Sequence, residues 1–508
     1  MDYRGIKSDF EPSDYQKAVI DWVLDGKGNA VVNAVAGSGK STTLELVTQA
    51  TGSDTLVLAF NKSIADELRE RLAGSGVNTS TMHSHGFSAI RAGLGKKRTK
   101  VDGRKYNKIL RELLSEHPEY ESFENEMWRI AACAAKCLDI VRMSLDETAR
   151  WKRCASHIGI DVEPEWEPII DSVIHKAYCK GALSLKTIDF TDMVFMPVKK
   201  GYPAKKYSWV LVDEAQDLNP AQRALAMMSV KTGGRIMFVG DPKQAIYGFA
   251  GASCDSIDRI KDVAKASELP LSVCYRCPDN VLQLARRIVP HVETAPGKGD
   301  GVVEYFDREK VGSILGEGDI VLCRTNAPLL SLCYSLISAG VQARVKGRDI
   351  GKGLTKLIDK LAKKYKVTTI GHLEHAISKY LADYTAAVLA AGGDEDDARI
   401  SRLGDQADCI RAIIDASDAT TVDNLKSTID ELFSDAQASI WLSSVHRAKG
   451  LEADRVFIIR PEQLPPRWSK PGTWQYEQEL NLKYVAMTRA KKELWVEDSA
   501  DATWRFSK

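Results

Sequence analysis

Several features that would narrow the class of this 508-residue chain at once are missing from it. No run approaches the ~18 apolar residues of a membrane span. The stretch Met1-Asp2-Tyr3-Arg4-Gly5-Ile6-Lys7 lacks the apolar core of a signal peptide. Both absences predict a soluble, cytoplasmic protein with no membrane partner. Excess charge is missing too, since 70 Lys+Arg against 69 Asp+Glu leave a net charge of +1. Any nucleic-acid binding must then come from local patches rather than from a global field. Cysteine, at ten residues, is too sparse for a disulfide framework and suggests a reducing compartment. Cys133, Cys137, Cys154 and Cys179 share one segment but contain no tight Cys-x-x-Cys pair. They read as small buried hydrophobes rather than as a metal or iron–sulfur site. Low-complexity tracts and short-period repeats are also lacking.

What is present begins with Ala34-Val35-Ala36-Gly37-Ser38-Gly39-Lys40-Ser41, which follows the apolar run Ala30-Val31-Val32 and leads into a helical pattern from Thr42. A strand, a glycine-rich turn and a helix in that order form a phosphate cradle. Backbone N–H groups converge on the oxyanions, and the helix adds its positive end. Ala36, Gly37, Ser38, Gly39, Lys40, Ser41 and Thr42 are the candidate nucleotide contacts. Lys40 would reach the β- and γ-phosphates, and the Ser41 hydroxyl would ligate Mg2+. Upstream, the planar amide of Gln16 could read an adenine edge. A second buried-strand pattern, Ser208 to Val212, ends in Asp213 and Glu214. One acid there suits a metal ion, and the other suits the attacking water. A third, Arg235 to Val239, ends near Gln244, whose amide can sense a γ-phosphate. Tyr247 and Phe249 follow at once and suit base stacking.

Thr55 to Phe60 reads as a buried parallel strand whose carboxyl end places Phe60 and Asn61 at the ligand crevice. Ser80 to Phe87 packs hydroxyls, imidazoles and an aromatic together, and its plainer reading is a capped helix start. From Gly95 the chain turns basic (Lys96, Lys97, Arg98, Lys100, Arg104, Lys105, Lys108) and then helical to about Gly181. That basic stretch could touch a phosphate backbone or simply be solvated. Val273-Cys274-Tyr275-Arg276-Cys277 opens a second set of strand patterns. Tyr275 can stack on a purine there, and Arg276 can face phosphates. A lysine-punctuated helical stretch (Lys352 to Lys366) begins another insert, to about Ala438. Ile440 to Ser443 then returns to a strand before His446 and Glu452. A helix is predicted over 479–490 and a last strand over 493–496. Length alone suggests three or four compact units.

The order and spacing of these motifs closely resemble the UvrD/Rep-like branch of superfamily-one DNA helicases, with matches from Gln16 to Lys491. The short phage and F-box DNA helicase-like forms look nearest, through Ala59-Phe60-Asn61-Lys62-Ser63-Ile64-Ala65 and Ser444 to Glu452. The resemblance implies an α/β fold of two RecA-like parallel-sheet cores (a P-loop NTPase), each with a helical inserted subdomain. Core 1A would occupy 1–94 and 183–270 around insert 1B at 95–182. Core 2A would occupy 271–350 and 439–508 around insert 2B at 351–438. ATP and Mg2+ are the implied cofactors, with ATP bound between the cores. Lys40, Asp213, Glu214, Gln244, Arg276 and Arg489 resemble the catalytic set, the two arginines as fingers. Gln16, Tyr275 and Glu452 resemble the adenine-reading, adenine-stacking and ribose contacts, and Ser41 and Asp213 the metal contacts. Phe60, Asn61, Thr81, His83, Tyr247, Phe249 and His446 fall where the family touches single-stranded DNA. Asp189 to Met193 matches a further short family stretch. The implied function is 3′→5′ translocation on single-stranded DNA with duplex unwinding, in replication, repair or recombination. Single-stranded DNA and single/double-strand junctions are the expected partners. The alternative is a translocase that strips a recombinase or single-strand-binding protein without processive unwinding. The expected location is the cytoplasm of a bacterial or phage-infected cell, or the nucleus in a eukaryote. Cys274 departs from an Asn common in the family, and Leu480 and Asn481 stand where charged residues are usual.

Overall fold

The computed structural model describes residues 1–95, 99–157, 160, 162–246, 256–390, 398–434, 438–466 and 469–505. The chain divides into two compact units, Met1–Val273 and Cys274–Lys508, rather than three or four. Each helical insert is joined to its own sheet unit, the first through a buried ion cluster and the second through a shared apolar core, which is why the number is lower.

In the first unit, six strands form one parallel sheet: β1 (Asn29–Ala34), β2 (Thr55–Ala59), β3 (Asn78–Thr81), β4 (Tyr207–Val212), β5 (Val230–Gly240) and β6 (Ala266–Leu271). Their spatial order is β6-β1-β5-β4-β2-β3. All five residues of β2 are buried, as a strand covered on both faces requires. Apolar cores lie on both faces of the sheet, Val32, Leu44 and Val57 in one and Val31, Leu58 and Phe238 in the other. Because β1, β5 and β4 are neighbours, the residues that follow their carboxyl ends share one crevice.

Helices Lys105–Ser115, Met127–Ser144, Trp151–His157 and Glu167–Leu183 build a separate apolar core around Leu110, Ile130, Trp151 and Ile170. Cys133, Cys137 and Cys154 are buried and Cys179 is exposed. A two-residue parallel pairing of Lys100–Val101 with Thr187–Ile188 closes the base of this insert, which helical periodicity did not foresee. An ion cluster locks it to the sheet unit. Arg142 is wholly buried and binds Asp189 (2.7 and 3.0 Å) and Asp192 (2.7 Å), while Lys105 Nζ reaches Asp192 at 2.6 Å. Lys105 therefore leaves the basic stretch considered for phosphate contact, and Lys108 is taken by Asp102 at 2.6 Å. Lys96, Lys97 and Arg98 lie outside the described residues.

The second unit repeats the plan with β7 (Val302–Phe306), β8 (Ile320–Cys323), β9 (Ala343–Val345), β10 (Ile440–Ser444), β11 (Ala453–Ile458) and β12 (Ala490–Glu497). They are parallel, in the order β7-β12-β11-β8-β10-β9. Here the insert helices Arg348–Tyr365, Ile370–Ala390, Ala398–Ala416 and Val422–Leu432 share one core with the sheet, Leu354, Ile377 and Leu425 with Val321, Leu442 and Phe457. The helix predicted over 479–490 runs Trp474–Met487 and is C-capped by Thr488. The final strand is correspondingly longer than 493–496, starting at Ala490.

Gly86 is required by contact. A Cβ on Gly86 would lie 2.0 Å from the carbonyl oxygen of Met193, so helices Met82–Leu94 and Phe190–Lys200 meet backbone to backbone. Gly86→Ala is expected to cost about 2–3 kcal/mol, seen as a lower urea midpoint of the first unit. An unchanged midpoint would contradict so close an approach.

Candidate nucleotide and DNA sites

The turn after β1 is built to hold anions. Gly37 (φ +69°) and Gly39 (φ +78°) take the left-handed conformation that L side chains resist. Gly39 caps helix Lys40–Thr51 without any side-chain acceptor for the first-turn N–H groups. Ser38 Oγ is buried with no hydrogen-bond partner among the described residues. An orphaned hydroxyl within a loop of converging N–H groups fits the phosphates of a nucleotide.

Gln16 sits directly beneath this loop, almost wholly buried. It is the N3 residue of a capping box, accepting from Ser13 N at 3.0 Å, and its Nε2 donates to Thr43 Oγ1 at 3.3 Å. The amide thus ties helix Asp14–Asp25 to the phosphate-loop helix. One N–H and one lone pair remain for an adenine edge.

Lys40 faces carboxylates from the two neighbouring strand ends. Its Nζ lies 3.4 Å from Glu214 Oε1. Burial alone would depress the ammonium, but Glu214, Asp241 and Asp213 outweigh it and hold its pKa above the ordinary lysine value. Burial, reinforced by Glu214, pushes Asp213 up, and burial also pushes Asp241 up. One ammonium among three carboxylates leaves the pocket acidic, and that donor set suits a divalent cation at Ser41 and Asp213.

Glu214 takes a left-handed backbone conformation (φ +49°), which for a non-glycine residue is strained and typical of functional turns. Its N–H donates to Asp213 Oδ1 at 2.8 Å, and its carboxylate accepts from Gln216 Nε2. Gln216 Oε1 in turn accepts from Asp241 N at 3.0 Å. Asp241 then holds Gln244, whose Nε2 donates to Oδ2 at 2.7 Å. A chain of amides and acids therefore runs from the general-base candidate to the γ-phosphate-sensor candidate. Nothing local in the sequence marks Gln216 and Asp241 as functional candidates. Each stands beside a selected residue, and only the adjacency of β4 and β5 gives it a role.

The proposed DNA contacts of the first unit share another part of the same sheet end. Ala59 is in register with Thr81, so Phe60-Asn61 and Thr81-Met82-His83 leave adjacent strands together. Asn61 caps helix Lys62–Arg71 by accepting from Ile64 N at 2.9 Å, and Thr81 caps the next helix through Ser84 N at 3.2 Å. The capped-helix reading of Ser80–Phe87 therefore holds. His83 is half-buried, and burial lowers its pKa. Tyr247 and Phe249 lie outside the described residues. Phe190, given no role beforehand, is 60% exposed as the first residue of its helix. The signal was the Asp189 cap, which leaves the next side chain facing outward.

In the second unit Tyr275, Arg276, Glu452 and Arg489 converge. Arg276 Nε donates to Glu452 Oε2 at 2.7 Å and Nη1 to the Thr488 carbonyl at 3.2 Å. Lys491 reaches the other oxygen of Glu452 at 2.7 Å. Burial would raise the Glu452 pKa, but Lys491 and Arg276 outweigh it and hold the carboxylate charged. Arg489 is 1% exposed, its guanidinium donating to the Val485 and Leu451 carbonyls at 2.9 and 3.3 Å. Tyr275 is 41% exposed. His446 stands apart from them, half-buried after β10. Burial, with Arg324 and Arg447 nearby, pushes its imidazole down to about 3 and keeps it neutral.

This arrangement defines a phosphate-loop nucleotide site in the first of two α/β cores. The chain belongs to the UvrD/Rep helicase family: residues 15–265 match the UvrD/REP helicase N-terminal domain, and residues 439–496 the UvrD-like helicase C-terminal domain. It is 24% identical over 514 residues to F-box DNA helicase protein 1 of Schizosaccharomyces pombe, covering 95% of this chain and 57% of that protein. It is 23% identical over 608 residues to the probable DNA helicase II homolog of Rickettsia conorii, covering 93% of this chain and 91% of the relative. With DNA helicase II of Salmonella typhimurium it shares 24% identity over 359 residues, covering 63% of this chain and 47% of the relative. The chain thus spans little more than half of the F-box relative.

Asp241→Ala would leave the Gln244 amide without its acceptor. ATP turnover is expected to fall at least ~10-fold while nucleotide affinity changes little. Unchanged turnover would remove Asp241 from the site.

Proposed function

We propose that the protein is an ATP-dependent DNA helicase that translocates 3′→5′ on single-stranded DNA and unwinds duplex. The observation that carries the proposal is Lys40, held at a glycine-rich phosphate loop beside Glu214, Asp213 and Asp241, in a chain of this family. Lys40 neutralises β- and γ-phosphate charge, and Glu214 orients and deprotonates the attacking water. Mg2+, when bound through Ser41 and Asp213, would offset the charge of the phosphate oxygens. Gln244, fixed by Asp241, senses the γ-phosphate position, and Tyr275 stacks on the base. Arg276 and Arg489 serve as arginine fingers, and Glu452 contacts the ribose while steadying Arg276.

Phe60, Asn61, Thr81, His83, Tyr247, Phe249 and His446 contact single-stranded DNA, and Phe190 adds an exposed aromatic for stacking. The family and its relatives' names support DNA as the substrate; polarity and cellular process rest on the resemblance.

Lys40→Ala is expected to abolish ATP hydrolysis and leave single-stranded DNA binding within about two-fold. Retained turnover would sink the assignment. Partial duplexes with a 3′ or a 5′ tail test polarity, and ATP-dependent opening of the 3′-tailed one alone is expected. Opening of only the 5′-tailed substrate would overturn the polarity. If neither opens while DNA still stimulates hydrolysis, a protein-stripping translocase replaces the unwinding helicase.

A further inference from the structure

Cys274 and Cys277 flank the proposed adenine-stacking Tyr275 and arginine finger Arg276. Both cysteines are fully buried, while Tyr275 between them is exposed. The Cys274 sulfur is turned toward Cys277 across the bend, accepting from the Cys277 backbone N–H at 3.4 Å. Both ends of the bend are anchored. Strand Val273–Cys274 pairs with Glu293–Thr294, and Ala295 N donates to the Cys274 carbonyl at 3.1 Å. On the other side, Pro278 caps helix Asp279–Ala285. Only Tyr275 and Arg276 can adjust if the sulfurs draw together.

We infer that Cys274 and Cys277 form a reversible intramolecular disulfide with a small-molecule disulfide oxidant, and that its closure switches off ATP hydrolysis by displacing Arg276. The inference rests on the nucleotide role proposed for Tyr275 and Arg276. The Cys274 sulfur is the nucleophile. The Cys277 thiol and the N–H groups of Cys277 and Arg276 lower its pKa against the effect of burial, while that of Cys277 is raised. Cys274 thiolate attacks one sulfur of glutathione disulfide, forming a mixed disulfide and releasing one glutathione thiolate. Cys277 then loses its proton, and its sulfur attacks that of Cys274, expelling the second glutathione. Two protein thiols are oxidised and one glutathione disulfide is reduced to two thiols, which take up the two protons.

The small ring so formed contains Tyr275 and Arg276. Its closure pulls the Arg276 guanidinium from the Glu452 carboxylate and the Thr488 carbonyl. Burial of both thiols makes the reaction wait for the bend to open, so the oxidant must be present in excess.

The test incubates the full-length protein with glutathione disulfide and measures both peptide mass and DNA-stimulated ATP hydrolysis. The expected result is a peptide lighter by two hydrogens across Cys274 and Cys277. Hydrolysis should fall about ten-fold or more, with recovery in dithiothreitol and no loss in Cys274→Ala, which lacks the attacking thiolate. Cys179, the exposed cysteine among the described residues, is replaced by serine in both proteins. Absence of the disulfide in excess oxidant overturns the inference, as does a disulfide without loss of hydrolysis. So does equal loss in Cys274→Ala, which would point to another thiol. If the reduced protein lacks DNA-stimulated hydrolysis, the functional reading fails and the switch with it, while the peptide mass still reports whether the disulfide forms.

Discussion

The ammonium of Lys40 is the interaction on which the nucleotide site depends. It lies in a poorly solvated pocket with Glu214, Asp213 and Asp241 around it. Each carboxylate alone would be costly to bury, and together they repel. Taking away the single cation from such a group costs about 3–5 kcal/mol, because the remaining charges are left uncompensated. The pocket still carries an excess of negative charge with Lys40 in place. Burial raises Asp213 and Asp241 because desolvation outweighs the opposing pull of Lys40 on both carboxyls. The strain at Glu214 belongs to the same arrangement, since its left-handed turn brings that acid to the lysine.

A second buried charge group does different work. Arg142, Lys105, Asp189 and Asp192 come from three helices and join the insert to the sheet of the first unit. Buried ion pairs often add little net stability compared with apolar packing. They are demanding in geometry, however, and the Arg142 fork accepts one placement of helix Phe190–Lys200. Tyr106 reinforces that placement, with the Arg142 guanidinium 3.8 Å over its ring. At its other contact the same helix is pressed against Gly86. Phe190 and the Thr81–His83 corner thus start from two helices whose separation is fixed on both sides.

What was legible in the sequence was local. A glycine–lysine–serine turn after an apolar run, and acids directly after buried strands, announce themselves within a few residues. The parallel sheets followed from continuous apolar runs such as Thr55–Phe60, of which the strand itself takes Thr55–Ala59. Contacts between distant segments left no such trace. Lys105 looked like part of a solvated basic stretch because its partner, Asp192, is 87 residues away. Gln216 and Asp241 carried no signal of their own, because their link exists only where β4 and β5 lie side by side. The end of helix Trp474–Met487 was misjudged because Thr488 and Arg489 continue a helical pattern. Arg489 instead turns its guanidinium back onto the Val485 carbonyl, and the strand begins at the next residue.

The local devices also account for how a chain of net charge +1 could hold a polyanion. Asn61 and Thr81 spend their side-chain acceptors on capping, while the Asn61 amide N–H groups and the Thr81 hydroxyl can still donate to a phosphate oxygen. The corner also presents the starting turns of two helices that leave neighbouring strands in register. Helix starts carry partial positive charge and uncommitted N–H donors. Such donors recognise phosphate and sugar, which position a strand, and leave base identity unread. Neutral imidazoles at His83 and His446 add contact area without fixed charge. Contacts of this kind, proposed for each unit by itself, hold any sequence with modest force. That is what stepwise movement along a strand requires, since each contact must be released as readily as it is made.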